Sequence, residues 1–200
     1  MTASVRVVRL GRRQLLGGLA CALVWGCEKK EPPKALYTLP SFVLENQNSK
    51  PTGSEQLSDT VWIAAFFFTR CPTICPRITA RMLSLAQTAA EQQLDLQFVM
   101  FSVDPENDTP AVLSKYAADK QLPAERFQLL TGDLEVIKKT SVQGFKVALE
   151  GKPDESKEHL GLLHGTHLIL VGKALSIRGY YRSSDDTEMS KLMADAKTLL

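Results

Sequence analysis

Val61-Trp62-Ile63-Ala64-Ala65-Phe66-Phe67-Phe68-Thr69-Arg70-Cys71-Pro72-Thr73-Ile74-Cys75-Pro76 is the stretch on which the reading of this chain turns. Its first eight residues are apolar without a break, the pattern of a central strand buried on both faces. Two thiols follow where that strand runs out, just ahead of a helix. A residue before proline is pushed out of the α region, so Cys75 is expected in an extended or turn conformation, with Pro76 as the first helical residue. Both sulfurs then lie at a helix entrance. Unpaired backbone N–H groups and the positive dipole end favour thiolate there, and Arg70 adds a full positive charge beside Cys71. Thiolate is the reactive and metal-binding form, so the pair reads as a redox couple or as two soft metal ligands. A small structural disulfide is the blander alternative, although structural disulfides usually close longer loops.

Working outward, strands and helices alternate. Ile78, Met82, Leu85, Ala86 and Ala89 form one helical stripe after the cysteines. Leu96 to Val103 reads as the next strand. Thr109-Pro110 supplies an N-cap and a first-turn proline for a helix through Asp119. Phe127 to Leu130 is a short strand, and Asp133 caps a helix that Gly144 ends. Glu150 to His159 is a charged loop. His167 to Val171 and Ser176 to Tyr181 form a strand pair, and Asp186 opens a last helix with Met189, Leu192, Met193, Ala196 and Leu200 facing inward. Phe42 to Leu44 and the Gly53 region suggest an N-terminal hairpin. The sum is an α/β protein of thioredoxin-like fold, a central mixed sheet flanked by helices, with the Phe127 strand added to the minimal form.

The N-terminus has a different character. Arg6, Arg9, Arg12 and Arg13 precede an apolar stretch, Leu15 to Gly26, that is short for a bilayer span. Residues 1–26 therefore read as an export signal. Val24-Trp25-Gly26-Cys27 resembles a lipoprotein cleavage box, which would make Cys27 the acylated first residue of the mature chain; the paired arginines also resemble a twin-arginine signal. Residues 27–35 read as a tether, and residues 36–200 as one domain. Removing residues 1–26 takes four arginines and no acid from the 24 basic and 22 acidic residues, leaving 20 against 22. The basic balance thus belongs to the leader, and no basic stripe with interleaved aromatics suggests a nucleic-acid partner. An exported domain on the extracytoplasmic side of a bacterial membrane would hold Cys71 and Cys75 in an oxidising space, where they need a thiol reductant as partner.

In an open α/β sheet, functional groups collect beyond the carboxyl ends of the strands. Cys71 and Cys75 follow one strand and Asp104 follows the next, so a right-handed crossover sets them on one rim. His159, His164 and His167 cluster before the following strand. Two thiolates and an imidazole suit Cu(I), and the nitrogen admits Cu(II); zinc would usually take a fourth ligand. Each of these residues also has an ordinary role open to it. A loop histidine needs no metal, His159 sits among charges, His167 opens an apolar strand, and Asp104 can cap a turn with Pro105.

Phe67 to Pro76, Phe101-Ser102-Val103-Asp104-Pro105-Glu106-Asn107-Asp108-Thr109-Pro110, Leu129-Leu130-Thr131-Gly132, and His164 ahead of Ile177-Arg178-Gly179-Tyr180-Tyr181 together resemble the Sco/SenC/PrrC proteins. The resemblance spans about residues 40–182, and four ordered motifs carry it. It implies a membrane-tethered thioredoxin-like domain that binds copper through Cys71, Cys75 and His164, with Asp104 nearby. Its implied work is to deliver copper to the CuA site of cytochrome c oxidase, or to mature that site. The alternative is a thiol:disulfide oxidoreductase acting on partner cysteines without physiological copper. Around the histidine the family usually has Asp-His-Ser, where Leu163-His164-Gly165-Thr166 stands here. A family turn of Asp-Pro-Asp-Gly type is replaced by Gly172-Lys173-Ala174-Leu175.

Overall fold

A computed structural model of the chain describes residues 31–147 and 166–200. Eight strands form one sheet: β1 (Tyr37–Thr38), β2 (Val43–Asn46), β3 (Pro51–Gly53), β4 (Val61–Phe67), β5 (Leu96–Ser102), β6 (Phe127–Thr131), β7 (His167–Gly172) and β8 (Ser176–Arg182). Their spatial order is β1-β8-β7-β4-β5-β6-β2-β3. The helices are α1 (Ser54–Leu57), α2 (Ile74–Glu91), α3 (Pro110–Asp119), α4 (Leu134–Lys138), continued by a π-helical turn over Lys139–Gly144, and α5 (Asp186–Lys197). The sheet is mixed. Strands β4, β5 and β6 run parallel, whereas β7 is antiparallel to both β4 and β8. The set β4-α2-β5 with β7-β8-α5 is the thioredoxin-like arrangement, and β6 extends its parallel edge.

Every residue of β4 is buried, because helices or aromatic side chains cover both of its faces. Alternation sends Trp62 and Phe66 to one side, where Phe101 stacks on Phe66 at 5.3 Å and Phe145 meets Phe66 edge-on at 5.3 Å. Phe67 points the other way, to the ring of Tyr116 on α3. Helix α2 presents the expected stripe, with Ile78, Met82, Leu85, Ala86 and Ala89 all buried. Truncating a ring such as that of Phe66 would cost about 3–5 kcal/mol.

Capping signals fell where the sequence put them. Thr109 accepts from the N–H of Val112, and Asp133 accepts from Glu135 and Val136. Asp185, one residue before the expected start, caps α5. The N-terminal hairpin is present as β2–β3, and it pairs with β6. Gly53 is required there, since a Cβ would stand 2.1 Å from the carbonyl oxygen of Phe42.

Two expectations are corrected. Helix α2 starts at Ile74, not Pro76, with Thr73 as N-cap, so Cys75 is helical. Proline is tolerated two positions further in because the first four N–H groups of a helix have no intrahelical acceptor to lose. Leu200, expected to face inward, is 45% exposed, because α5 ends at Lys197 and the chain turns off the stripe.

Candidate metal centre

The site is built on the carboxyl ends of β4 and β5. These parallel neighbours are in register from Val61↔Leu96 to Phe67↔Ser102, so the loops after Phe67 and Ser102 start side by side. Cys71 lies in the first loop and Cys75 in the first turn of α2. Both are buried free thiols. The backbone N–H of Cys75 donates to the Sγ of Cys71 at 3.4 Å, which sets one sulfur on the helix entrance and the other within its first turn.

The two thiols differ electrically. Burial raises the Cys71 pKa, but the backbone N–H groups of Cys75, Thr73 and Ile74 and the Cys75 thiol outweigh it, and the net direction is downward. Cys75 is pushed strongly upward, first by burial and then by the negative charge that develops on Cys71 and the carboxylate of Asp108. Cys71 is thus the more acidic thiol of the pair and Cys75 the less acidic.

Asp104 shares the rim, as expected. Its carboxylate is 4% exposed and pairs with the guanidinium of Arg70 at 2.9 Å. Asn107 Nδ2 donates to both of its oxygens, at 2.9 and 3.1 Å. The Arg70 charge therefore reaches toward Asp104 across the two loops as well as standing beside Cys71 in sequence.

Asp108 was not singled out from sequence. It is fully buried and accepts from the Thr69 N–H at 3.0 Å, the Thr69 hydroxyl at 2.5 Å and the Ser102 hydroxyl at 2.6 Å. Its own N–H donates to the Asp104 carbonyl at 2.9 Å, folding the loop back beneath the rim. The available signal was a carboxylate placed just before the N-cap Thr109, where capping does not need it. Behind Cys75, the Thr79 hydroxyl donates to the Cys75 carbonyl and meets the Tyr116 hydroxyl at 2.8 Å.

His167 opens β7 and is half-buried. Strand β7 pairs Ile169 with Ala64, so continuing that register sets His167 opposite Phe66, at the same end of β4 as the cysteines. Among the described residues no group of three His, Cys, Asp or Glu side chains is gathered as a metal site. His164 and the Glu150 to His159 segment lie outside the described residues, as do residues 1–26 and Cys27. The donor set that is described, two adjacent thiols with one thiolate-prone, fits a soft metal ion.

The SCO1/SenC family pattern matches residues 30–200. The chain belongs to the SCO1/SenC family. Its fold is shared at a TM-score of 0.75 with a SCO1/SenC family lipoprotein from Bacillus anthracis, 35% identical, covering 83% of this chain and 97% of that one. BsSco, described as a Sco-family cytochrome c oxidase assembly protein with a disulfide switch, gives a TM-score of 0.75 at 32% identity, covering 85% of this chain and 98% of that one. A Stutzerimonas stutzeri protein named for copper binding is 35% identical over 149 residues, which is 72% of this chain and 69% of that one. Within the SCO1/SenC frame, Cys71 and Cys75 stand on the β4–α2 loop and helix entrance, with Asp104 across the rim. Among the described residues no helix is long and apolar enough to cross a membrane.

Proposed function

We propose that this chain is a copper-binding assembly factor that delivers copper to, or matures, the CuA site of cytochrome c oxidase. The observation that carries the reading is the buried Cys71–Cys75 pair, held by the 3.4 Å contact between the Cys75 N–H and the Cys71 sulfur. Cys71 and Cys75 bind the metal, and His164 is the third ligand. Support for the histidine comes from its place three residues ahead of β7, whose first residue stands at the cysteine end of β4. Asp104 orients Arg70 at the rim. Copper is cargo here, so binding must be reversible, and a three-coordinate site with one open face suits hand-over to a partner.

The test is anaerobic titration of the reduced full-length protein with copper. One copper ion per chain is expected, with proton release as the thiols ionise and a rise in thermal stability by mass action. Cys71→Ser and Cys75→Ser should each abolish tight binding, and undiminished affinity in either would sink the reading.

A second reading, thiol:disulfide exchange, is favoured by the unequal thiols. Cys71 attacks a partner disulfide sulfur, the partner's second sulfur leaves as thiolate, and Cys75 then displaces the partner by forming the intramolecular disulfide. A reductant of the same compartment returns the dithiol. The disulfide switch described for BsSco supports such cycling.

Both readings place the domain outside the cytoplasm, anchored to a membrane through lipid on Cys27. The B. anthracis relative, described as a lipoprotein, supports that anchor. Cys27→Ala should block lipid labelling and leave an unprocessed chain; release of a soluble domain cut elsewhere would exclude it.

A further inference from the structure

The fully buried carboxylate of Asp108 has no part in the ligand set, yet it lies under the two loops that form the site. Among the described residues three hydrogen bonds reach it, and each comes from a neutral group: Thr69 N–H, Thr69 Oγ1 and Ser102 Oγ. All three are donors to its oxygens, so among the described residues the carboxylate serves as an acceptor only. Thr69 is two residues before Cys71, and Ser102 ends β5, the strand beside the one that leads to the cysteines. The carboxylate is therefore held beneath the loop that carries Cys71, buried away from water that would screen its charge.

We propose that Asp108 sets the oxidation-state preference of the bound metal, favouring Cu(II) over Cu(I) at the Cys71–Cys75 centre. The proposal rests on the copper reading given above. Two thiolates alone favour the soft monovalent ion. A buried negative charge acts on the extra unit of positive charge in the divalent ion, and on nothing else that distinguishes the two. At an effective dielectric of ~20, one unit charge ~12 Å away already changes the ratio of the two affinities about tenfold. Asp108 is thus a positioning and charge-setting residue that reaches the metal through Thr69 and through its field. Metal coordination belongs to the proposed ligands, Cys71, Cys75 and His164.

The experiment measures both affinities on the reduced full-length protein without oxygen. Cu(I) is set in competition with a chromophoric Cu(I) chelator, and Cu(II) with an aminocarboxylate chelator. Asp108→Asn keeps the shape and removes the charge, so Cu(II) affinity should fall at least about tenfold relative to Cu(I). Asp108→Glu keeps the charge and should retain the ratio. That variant decides the matter if Asp108→Asn does not fold. Equal losses for both ions in Asp108→Asn, or a fall of about tenfold in Cu(II) relative to Cu(I) affinity in Asp108→Glu, would overturn the charge role while leaving copper binding by the unsubstituted chain intact. Failure of the unsubstituted chain to bind either ion would instead remove the copper reading, and this proposal with it.

Discussion

Arg70 and Asp104 join the two loops of the rim through an ion pair of 2.9 Å in which the guanidinium is 45% exposed and the carboxylate 4%. That asymmetry decides what each substitution costs. The exposed arginine contributes little as a surface charge, but its loss strands a buried carboxylate with Asn107 as its remaining described side-chain donor.

Arg70→Ala should therefore destabilise the reduced protein by about 1–3 kcal/mol, the usual cost of a buried polar group left short of a partner. Asp104→Asn/Arg70→Ala should cost less than the sum of the two single changes, because the double variant buries no charge. Urea unfolding of the four proteins measures the coupling. Strict additivity would mean that the pair does not act as one.

Alkaline pH should separate the two thiols. The folded-state pKa of Cys75 is raised above its ordinary 9.0, mainly by burial, so the stability it contributes is complete below that value and is lost as pH rises above it. Cys71, whose folded pKa is lowered, acts in the opposite sense: its contribution is present above 9.0 and fades as pH falls through the folded value. The Cys75 shift is the larger. Reduced protein should thus lose stability above about pH 9, and Cys75→Ser should remove much of that loss. In alkylation at neutral pH, Cys71 should react first and Cys75 stay protected. Equal labelling of both would contradict the asymmetry.

Much of this was legible in sequence because the relevant codes are local. An unbroken apolar run specifies a strand covered on both faces, and β4 is such a strand. Thr109 and Asp133 cap helices through bonds to residues two or three positions on, so no distant contact was needed to find them. Asp108 was hidden for the opposite reason. Its burial exists only once Thr69 and Ser102, 33 positions apart in sequence, meet at adjacent strand ends. The edge strand β1 likewise has two residues, too few for any period to show. Pro76 disfavours the helical region at Cys75, yet the spare N–H groups of a first turn let α2 start at Ile74, two residues ahead of the proline.

The β7–β8 turn carries a strain that the sequence hinted at and the backbone locates. Ala174 and Leu175 both have positive φ, 54° and 55°, with the Ser176 N–H bonded to the Lys173 carbonyl. This is the primed hairpin turn that asparagine and glycine favour. Ala174 is exposed, so Ala174→Gly relieves the strain without loss of packing and should stabilise the protein by about 1 kcal/mol. Leu175→Gly relieves the same strain but uncovers a buried side chain, and should destabilise by about 1–2 kcal/mol. Thermal unfolding of the two variants should move in opposite directions. A shift of the same sign in both would show that turn geometry is not what governs the site.

His164 separates metal handling from thiol exchange. The contact between Cys75 N–H and Cys71 Sγ and the helix entrance that lowers the Cys71 pKa both form from residues 71–75 alone, so His164→Ala should leave the dithiol couple and its alkylation pattern unchanged. The three-ligand copper site proposed above would, in contrast, lose its nitrogen donor. Cells carrying His164→Ala should show a cytochrome oxidase deficit in copper-limited medium, partly rescued by added copper, whereas Cys71→Ser should show the deficit at every copper level. If His164→Ala supports normal oxidase activity at low copper while Cys71→Ser does not, the metal-carrier role fails. Thiol exchange at Cys71 would then account for the phenotype, since it needs both sulfurs and no imidazole.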